Sequence, residues 1–249
     1  MFYLKKFETN NSRTQYEGGG EYIEPYVSLV KEDDSSHYNK SYLCKLTLQD
    51  GSKVKLYDAN GDGVLTSAMT SSYKSTLVSA KIGNACTSID NDAFNTCSSL
   101  TSVTISNSVT SIGVNAFRLC ISLISIDIPN GVTSIGRNAF YYCTGLTNVT
   151  IGNSVTSIGD YAFGDSTNLT SVTIGDSVTR IGGNAFNGCS KLTSITVNAT
   201  TAPTITSDTF GDVKTNGTLT VPSGSSGYDV WMSTSNYYLG YYNWTKVEQ

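Results

Sequence analysis

Side chains able to do chemistry are sparse in this 249-residue chain. The single histidine, His37, sits in the polar run Lys31-Glu32-Asp33-Asp34-Ser35-Ser36-His37-Tyr38-Asn39. A Ser–His or Cys–His dyad needs a base held against its nucleophile. Here one imidazole is available and no partner is visible beside it, so we expect no enzyme and no cofactor. Six cysteines could pair or bind metal. There is no CxxC pair, however, and one histidine is too few for a zinc set. The segment Asp58-Ala59-Asn60-Gly61-Asp62-Gly63-Val64-Leu65-Thr66 matches the first nine positions of a calcium loop, with Asp58, Asn60 and Asp62 as candidate ligands. Met69 stands at the twelfth position, where a bidentate carboxylate belongs. We read the segment as a turn rather than a metal site.

The elements behind these residues follow a 23-residue period. Leu77, Leu100, Leu123, Leu146, Leu169 and Leu192 fall in one slot. Ile89, Ile112, Ile135, Ile158 and Ile181 fall in a second, and Phe94, Phe117, Phe140, Phe163 and Phe186 in a third. A fixed period of this length specifies a stacked solenoid, because no single rung can bury its own apolar face. Within a rung, Val149 and Ile151 have strand spacing on one face, with Asn148 and Thr150 pointing to solvent. Gly152-Asn153-Ser154 makes a turn. Gly113, Gly136, Gly159 and Gly182 share a slot, from which we expect a backbone angle that side chains resist. Ala162 and Phe163 dock a short helical turn or loop. Cys97, Cys120, Cys143 and Cys189 share a core slot with Ser166, so we expect buried thiols. Stacked rungs would not forbid a disulfide, but the serine would strand a partner.

The motif L-T-S-V-T-I-x-x-S-V-T-S-I-G-x-x-A-F-x-x-C resembles the BspA-like, or Treponema-type, leucine-rich repeat. The resemblance covers about residues 77–214. It implies a right-handed, curved array with a parallel sheet on the concave side. It also implies a surface-displayed or secreted protein of the kind that acts in adhesion to host matrix proteins or other cells, without shared catalytic residues.

The fold we expect is therefore a β-rich α/β solenoid in three parts. Residues 1–76 form an N-terminal β-hairpin attachment module, 77–214 about six repeats, and 215–249 an aromatic-rich C-terminal cap. The hairpin signal is Leu43–Leu48 and Lys53–Tyr57 around Gln49-Asp50-Gly51-Ser52. The stretch Pro25-Tyr26-Val27-Ser28-Leu29 with His37-Tyr38-Asn39 resembles N-terminal segments of surface or virion proteins from gut bacteria and their phages. The tail from Leu219-Thr220-Val221-Pro222 resembles the closing segment of such arrays, a strand followed by a Tyr- and Trp-bearing helix or hairpin. Its aromatics would either cap the last rung or form a binding patch.

Charged residues make up 14 % and the net charge is -4, without a basic cluster, so nucleic acid is not an expected partner. No apolar stretch is long enough to span a membrane, and the N-terminus shows no secretory signal. The outward ladders Thr104, Asp127, Thr150, Thr173, Thr196 and Ser102, Ser125, Asn148, Ser171, Ser194 read as a soluble face. The carboxylates Asp127, Asp160, Asp165 and Asp176 read as solvated. Variation is concentrated beside the Phe slot, where Arg118, Arg137, Tyr141, Tyr142 and Tyr161 stand. Tyr and Arg dominate binding hot spots, so these five are the candidate ligand contacts; drift on a surface loop is the competing reading. Together these features predict a non-enzymatic binding or adhesion protein on a bacterial surface or phage virion. Its partners would be a host or cell-surface protein or glycan. A structural virion or assembly component, contacting other virion proteins or itself, is the alternative.

Overall fold

The computed structural model describes two backbone strands near the N-terminus, β1 (Phe2–Lys5) and β2 (Ser28–Lys31), and then residues 42–235 and 237–249. β1 and β2 pair antiparallel. His37 and most of the N-terminal segments singled out above lie outside the described residues.

The hairpin forms where its turn residues place it, between β3 (Tyr42–Leu48) and β4 (Lys53–Tyr57). Asp50 helps close the turn, its carboxylate accepting the Ser52 N–H at 2.9 Å. From there the chain winds as a parallel β-solenoid of about eight turns. The wider strands are β6 (Leu77–Ile82), β8 (Ser102–Thr104), β10 (Ser125–Ile128), β12 (Asn148–Ile151), β14 (Ser171–Ile174), β16 (Ser194–Val197), β17 (Thr218–Val221) and β18 (Thr245–Glu248). A second sheet of two-residue strands runs alongside: β5 (Val64–Leu65), β7 (Ser88–Ile89), β9 (Ser111–Ile112), β11 (Ser134–Ile135), β13 (Ser157–Ile158) and β15 (Arg180–Ile181).

The period becomes register directly. Val149 pairs with Val172, and Ile135 with Ile158, each one repeat on. β3 pairs antiparallel with β6, so the hairpin is part of the first wide sheet. At the other end a short 3-10 helix, Leu239–Tyr242, carries two of the tail's tyrosines, and β18 then pairs parallel with β17, which makes the tail a further turn of the coil and not a hairpin. Helices are few; the described residues hold one four-residue α-helix, Ser67–Thr70.

The interior consists of ladders. Every Leu, Ile and Phe of the three slots is buried. The Phe rings stack nearly parallel, with centroids 5.0, 5.1, 5.1 and 5.3 Å apart from Phe94 to Phe186. That spacing is close to the ~4.8 Å rise between strands. Phe210 comes one residue late in sequence, yet it stacks on Phe186 at 5.7 Å, and Trp231 closes the column at 5.2 Å. Tyr228, Trp231, Tyr242 and Trp244 are buried against the last rungs, whereas Tyr237 and Tyr241 are exposed.

All six cysteines are free and buried. The ladder thiols donate to the Phe carbonyl of the preceding rung: Cys120 to Phe94 at 3.2 Å, Cys143 to Phe117 at 3.2 Å and Cys189 to Phe163 at 3.3 Å. Ser166 makes the same bond to Phe140 at 3.3 Å, which explains why it replaces cysteine here. The slot requires a small donor, and both residues supply one.

The shared glycine slot has a different cause from the one expected. Gly113, Gly136, Gly159 and Gly182 do not adopt positive φ. They are crowded by the rung before; a Cβ on Gly136 would lie 2.6 Å from the carbonyl carbon of Gly113. The left-handed backbone sits two residues later, at Asp92, Asn115, Asn138, Tyr161 and Asn184, and again at Thr96, Leu119, Tyr142, Asp165 and Gly188. In this conformation the N–H groups point along the stack. Asn138 donates to Asp160 O at 2.9 Å and Tyr142 to Gly164 O at 2.9 Å.

Candidate functional site

The five surface residues singled out in the sequence lie on consecutive rungs just outside the Phe column. Tyr142 and Tyr161 occupy left-handed slots, and Arg118, Arg137 and Tyr141 each immediately precede one. Tyr161 has φ 56° and Tyr142 φ 60°. Asn, Asp or Gly fills most of the equivalent positions, because their small or self-bonding side chains tolerate this backbone. Tyrosine there carries a conformational cost of about 1 kcal/mol each.

The side chains form one connected cluster. The Arg118 guanidinium lies 5.9 Å from the Tyr141 ring centroid, and that of Arg137 lies 6.0 Å from the Tyr161 ring. Tyr141 meets Tyr161 edge to face at 6.1 Å and Tyr142 at a tilt at 6.2 Å. Gly164 makes room for this arrangement, since a Cβ there would come within 3.3 Å of the Tyr141 ring. The Tyr141 hydroxyl donates to Asp165 Oδ2 at 2.7 Å, and this bond raises the phenol pKa above its ordinary value. Tyr142 presents 44 % of its surface to solvent.

Among the described residues neither Arg118 nor Arg137 has a carboxylate partner, whereas Arg180 pairs with Asp160 at 3.4 Å. A guanidinium over an aromatic face is held in place but keeps its N–H donors free. The cluster therefore offers two oriented cations, three aromatic faces and one carboxylate. It can bind an anionic group beside an apolar one.

Asp165 and Asp160 depart from the expectation of solvated carboxylates, being bonded to Tyr141 and to Arg180 and the Gly183 N–H respectively. All three partners lie a rung away, 20 to 24 residues distant in sequence, so no local spacing signals them. The threonine after the repeat leucine is also structural: the Thr147 and Thr170 hydroxyls each donate to the preceding rung's carbonyl at 3.0 Å.

The calcium-like loop is organised by its own backbone. Asp58 accepts the Asn60, Gly61 and Gly63 N–H groups at 3.1, 2.7 and 2.7 Å, and Asp62 accepts that of Val64 at 2.9 Å. These bonds build the turn that delivers β5 to the second sheet. Among the described residues no group of three or more acidic, Cys or His side chains is placed to hold a metal. No helix among them is long and apolar enough to cross a membrane.

Fold and ladders together define a leucine-rich-repeat solenoid of the short, β-rich kind. The chain belongs to the BspA type leucine rich repeat region family, whose model matches residues 68–193 and 110–229 in six copies. Among solved structures, a leucine-rich repeat protein from Bacteroides ovatus is similar at 24 % identity and TM-score 0.50, covering 73 % of this chain and 51 % of that one. A T. pallidum leucine rich repeat protein is 29 % identical with TM-score 0.47, covering 50 % of this chain and 59 % of its own. A leucine rich cell surface protein from Faecalibacterium prausnitzii is 27 % identical with TM-score 0.43, covering 63 % and 57 %. The chain thus spans less than two thirds of each of these proteins. No curated protein sequence matches it.

Proposed function

We propose that this chain is a non-enzymatic adhesion or binding protein displayed on a bacterial surface, and that the Arg118–Tyr141–Tyr161 cluster is where its solenoid engages a protein or glycan on another cell. The observation that carries this reading is that two guanidiniums, without a carboxylate partner among the described residues, lie over tyrosine rings. Of the cluster's tyrosines, Tyr142 and Tyr161 occupy left-handed backbone positions, which favour smaller residues. A bulky residue held in a strained backbone position supports a role in contact with something else. Tyrosine and arginine at the centre of a patch are also the side chains that carry most interface energy.

Beads coated with the full chain should adhere to cultured epithelial cells. Arg118→Ala/Arg137→Ala should reduce adhesion at least tenfold, and Arg180→Ala, which breaks only an exposed ion pair, should leave it intact. Equal adhesion by the double variant and the wild type would refute the site.

A further inference from the structure

The cluster continues into an aliphatic strip on the same rung as Arg118, and the strip bears on the chemistry of the partner. Ile121 and Ile124 are 43 % and 56 % exposed. In the Ile121 slot the sister repeats carry Ser98, Thr144, Thr167 and Ser190, and in the Ile124 slot Thr101, Thr147, Thr170 and Thr193. The sister repeats serve as internal controls for what the fold requires. In the Ile124 slot it requires a hydroxyl: the four threonines donate to the preceding rung at 3.1, 3.0, 3.0 and 3.5 Å. Ile124 loses that bond. Its N–H reaches the Thr101 carbonyl at 3.3 Å, against 2.8 Å for Thr101 and Thr147 in the same ladder. β8 pairs with β6 and β10 with β12, and no ladder joins β8 to β10 at this seam. The rung therefore gives up a hydrogen bond and exposes two isoleucines at once.

Leu119 links the strip to the cluster. It fills the same left-handed slot as Tyr142, one rung earlier, and its N–H donates to the Tyr141 carbonyl at 2.9 Å. The half-buried Leu119 and the exposed Ile121 and Ile124 thus follow Arg118 closely in the chain. On a surface otherwise built from Thr, Ser and Asn, such a run marks an interface. Aliphatic side chains gain by excluding water against other apolar side chains. Guanidiniums without a carboxylate of their own gain by meeting one from a partner.

Building on the adhesion reading, we infer that the partner is a protein segment carrying aliphatic or aromatic side chains flanked by Asp or Glu, docking across Arg118, Leu119, Ile121, Ile124 and Tyr142. An anionic saccharide would use the arginines and tyrosines and have little use for the isoleucines.

The test pans a random 12-residue peptide library on the full chain and measures the enriched peptides by fluorescence anisotropy. Ile121→Thr/Ile124→Thr returns both slots to the repeat pattern, so it should fold with an unchanged or higher melting point. The inference expects enriched peptides rich in Asp or Glu and apolar residues, with affinity at least tenfold weaker for both Ile121→Thr/Ile124→Thr and Arg118→Asn. It is overturned if no peptide is enriched, if the threonine variant binds like wild type, or if heparin binds through Arg118 with no dependence on the isoleucines. In each of these cases Arg-dependent cell adhesion would still stand, so the two claims fail separately.

Discussion

Phe140 and Tyr141 are neighbours in the chain and obey different rules. The Phe140 ring is fully buried and stacked between Phe117 and Phe163 at 5.1 Å on each side. Every complete repeat has phenylalanine there, because a gap would open the column on both faces. The slot of Tyr141 holds Asn95, Arg118, Gly164 and Asn187 in other repeats, and the fold accepts all of them. The inner ladder answers to packing, and identity is repeated because the environment is repeated. The outer ridge varies from rung to rung within one backbone geometry, and in the proposed function its side chains serve recognition. On that proposal the solenoid separates stability from binding, one residue apart.

The largest expected effect comes from breaking the inner ladder. Phe140→Ala should destabilise the chain by about 3–5 kcal/mol, seen as one cooperative denaturant transition at a lower midpoint. A midpoint like that of wild type would mean the column is not a shared core. Gly136→Ala probes the crowded slot, where the new methyl has no room beside Gly113. We expect a loss of about 1–3 kcal/mol. A neutral result would restore a purely conformational role for that glycine.

Alkaline pH should erode the inner ladder. Burial pushes the thiols up, to about 11 for Cys86 and to about 12 for Cys97 and Cys143. In the unfolded chain they ionise near their ordinary value of 9.0. The folded state therefore holds protons that the unfolded state releases, and stability falls as pH rises from about 9 towards 12. The slope is at most about 1.4 kcal/mol per pH unit for each thiol. Cys143→Ser should keep neutral-pH stability within about 1 kcal/mol, since the hydroxyl can repeat the bond of Ser166. It should also flatten the alkaline slope by one thiol's share. Guanidinium denaturation at pH 8 and 10.5 measures both. The smallest effect concerns the ridge itself. Tyr161→Asn places in the left-handed slot the residue found at Asn115, Asn138 and Asn184. Stability should hold or rise by up to about 1 kcal/mol.

The apolar ladders were legible in the sequence because each slot repeats its environment every 23 residues, and the hairpin because Asp50-Gly51 interrupts two strand-like runs. The five ridge residues stood out for the opposite reason, as exceptions to the period. Their mutual contacts did not, since Tyr141 finds Asp165 on another rung. Glycine misled in a specific way. Its freedom of φ and its lack of bulk leave the same mark in a sequence, and the structure separates crowding at Gly136 from the left-handed backbone two residues on, at Asn138. Ile121 and Ile124 were hidden because an isoleucine beside a buried leucine reads as core. β18 was hidden because Thr245–Glu248 is polar and pairs with β17 at an offset of 27 residues, Thr218 with Thr245.

The central claim is that stability and recognition reside in separate residues of the same rungs. Its most direct test is a four-fold exchange, Arg118→Asn/Tyr141→Asn/Tyr142→Gly/Tyr161→Asn, which gives the cluster the residues that Asn187, Gly188 and Asn184 already supply at those slots. Melting temperature and cell adhesion are read on the same preparation. The account predicts a melting temperature equal to or above wild type, with adhesion lost. Retained adhesion, or a marked fall in melting temperature, would contradict it.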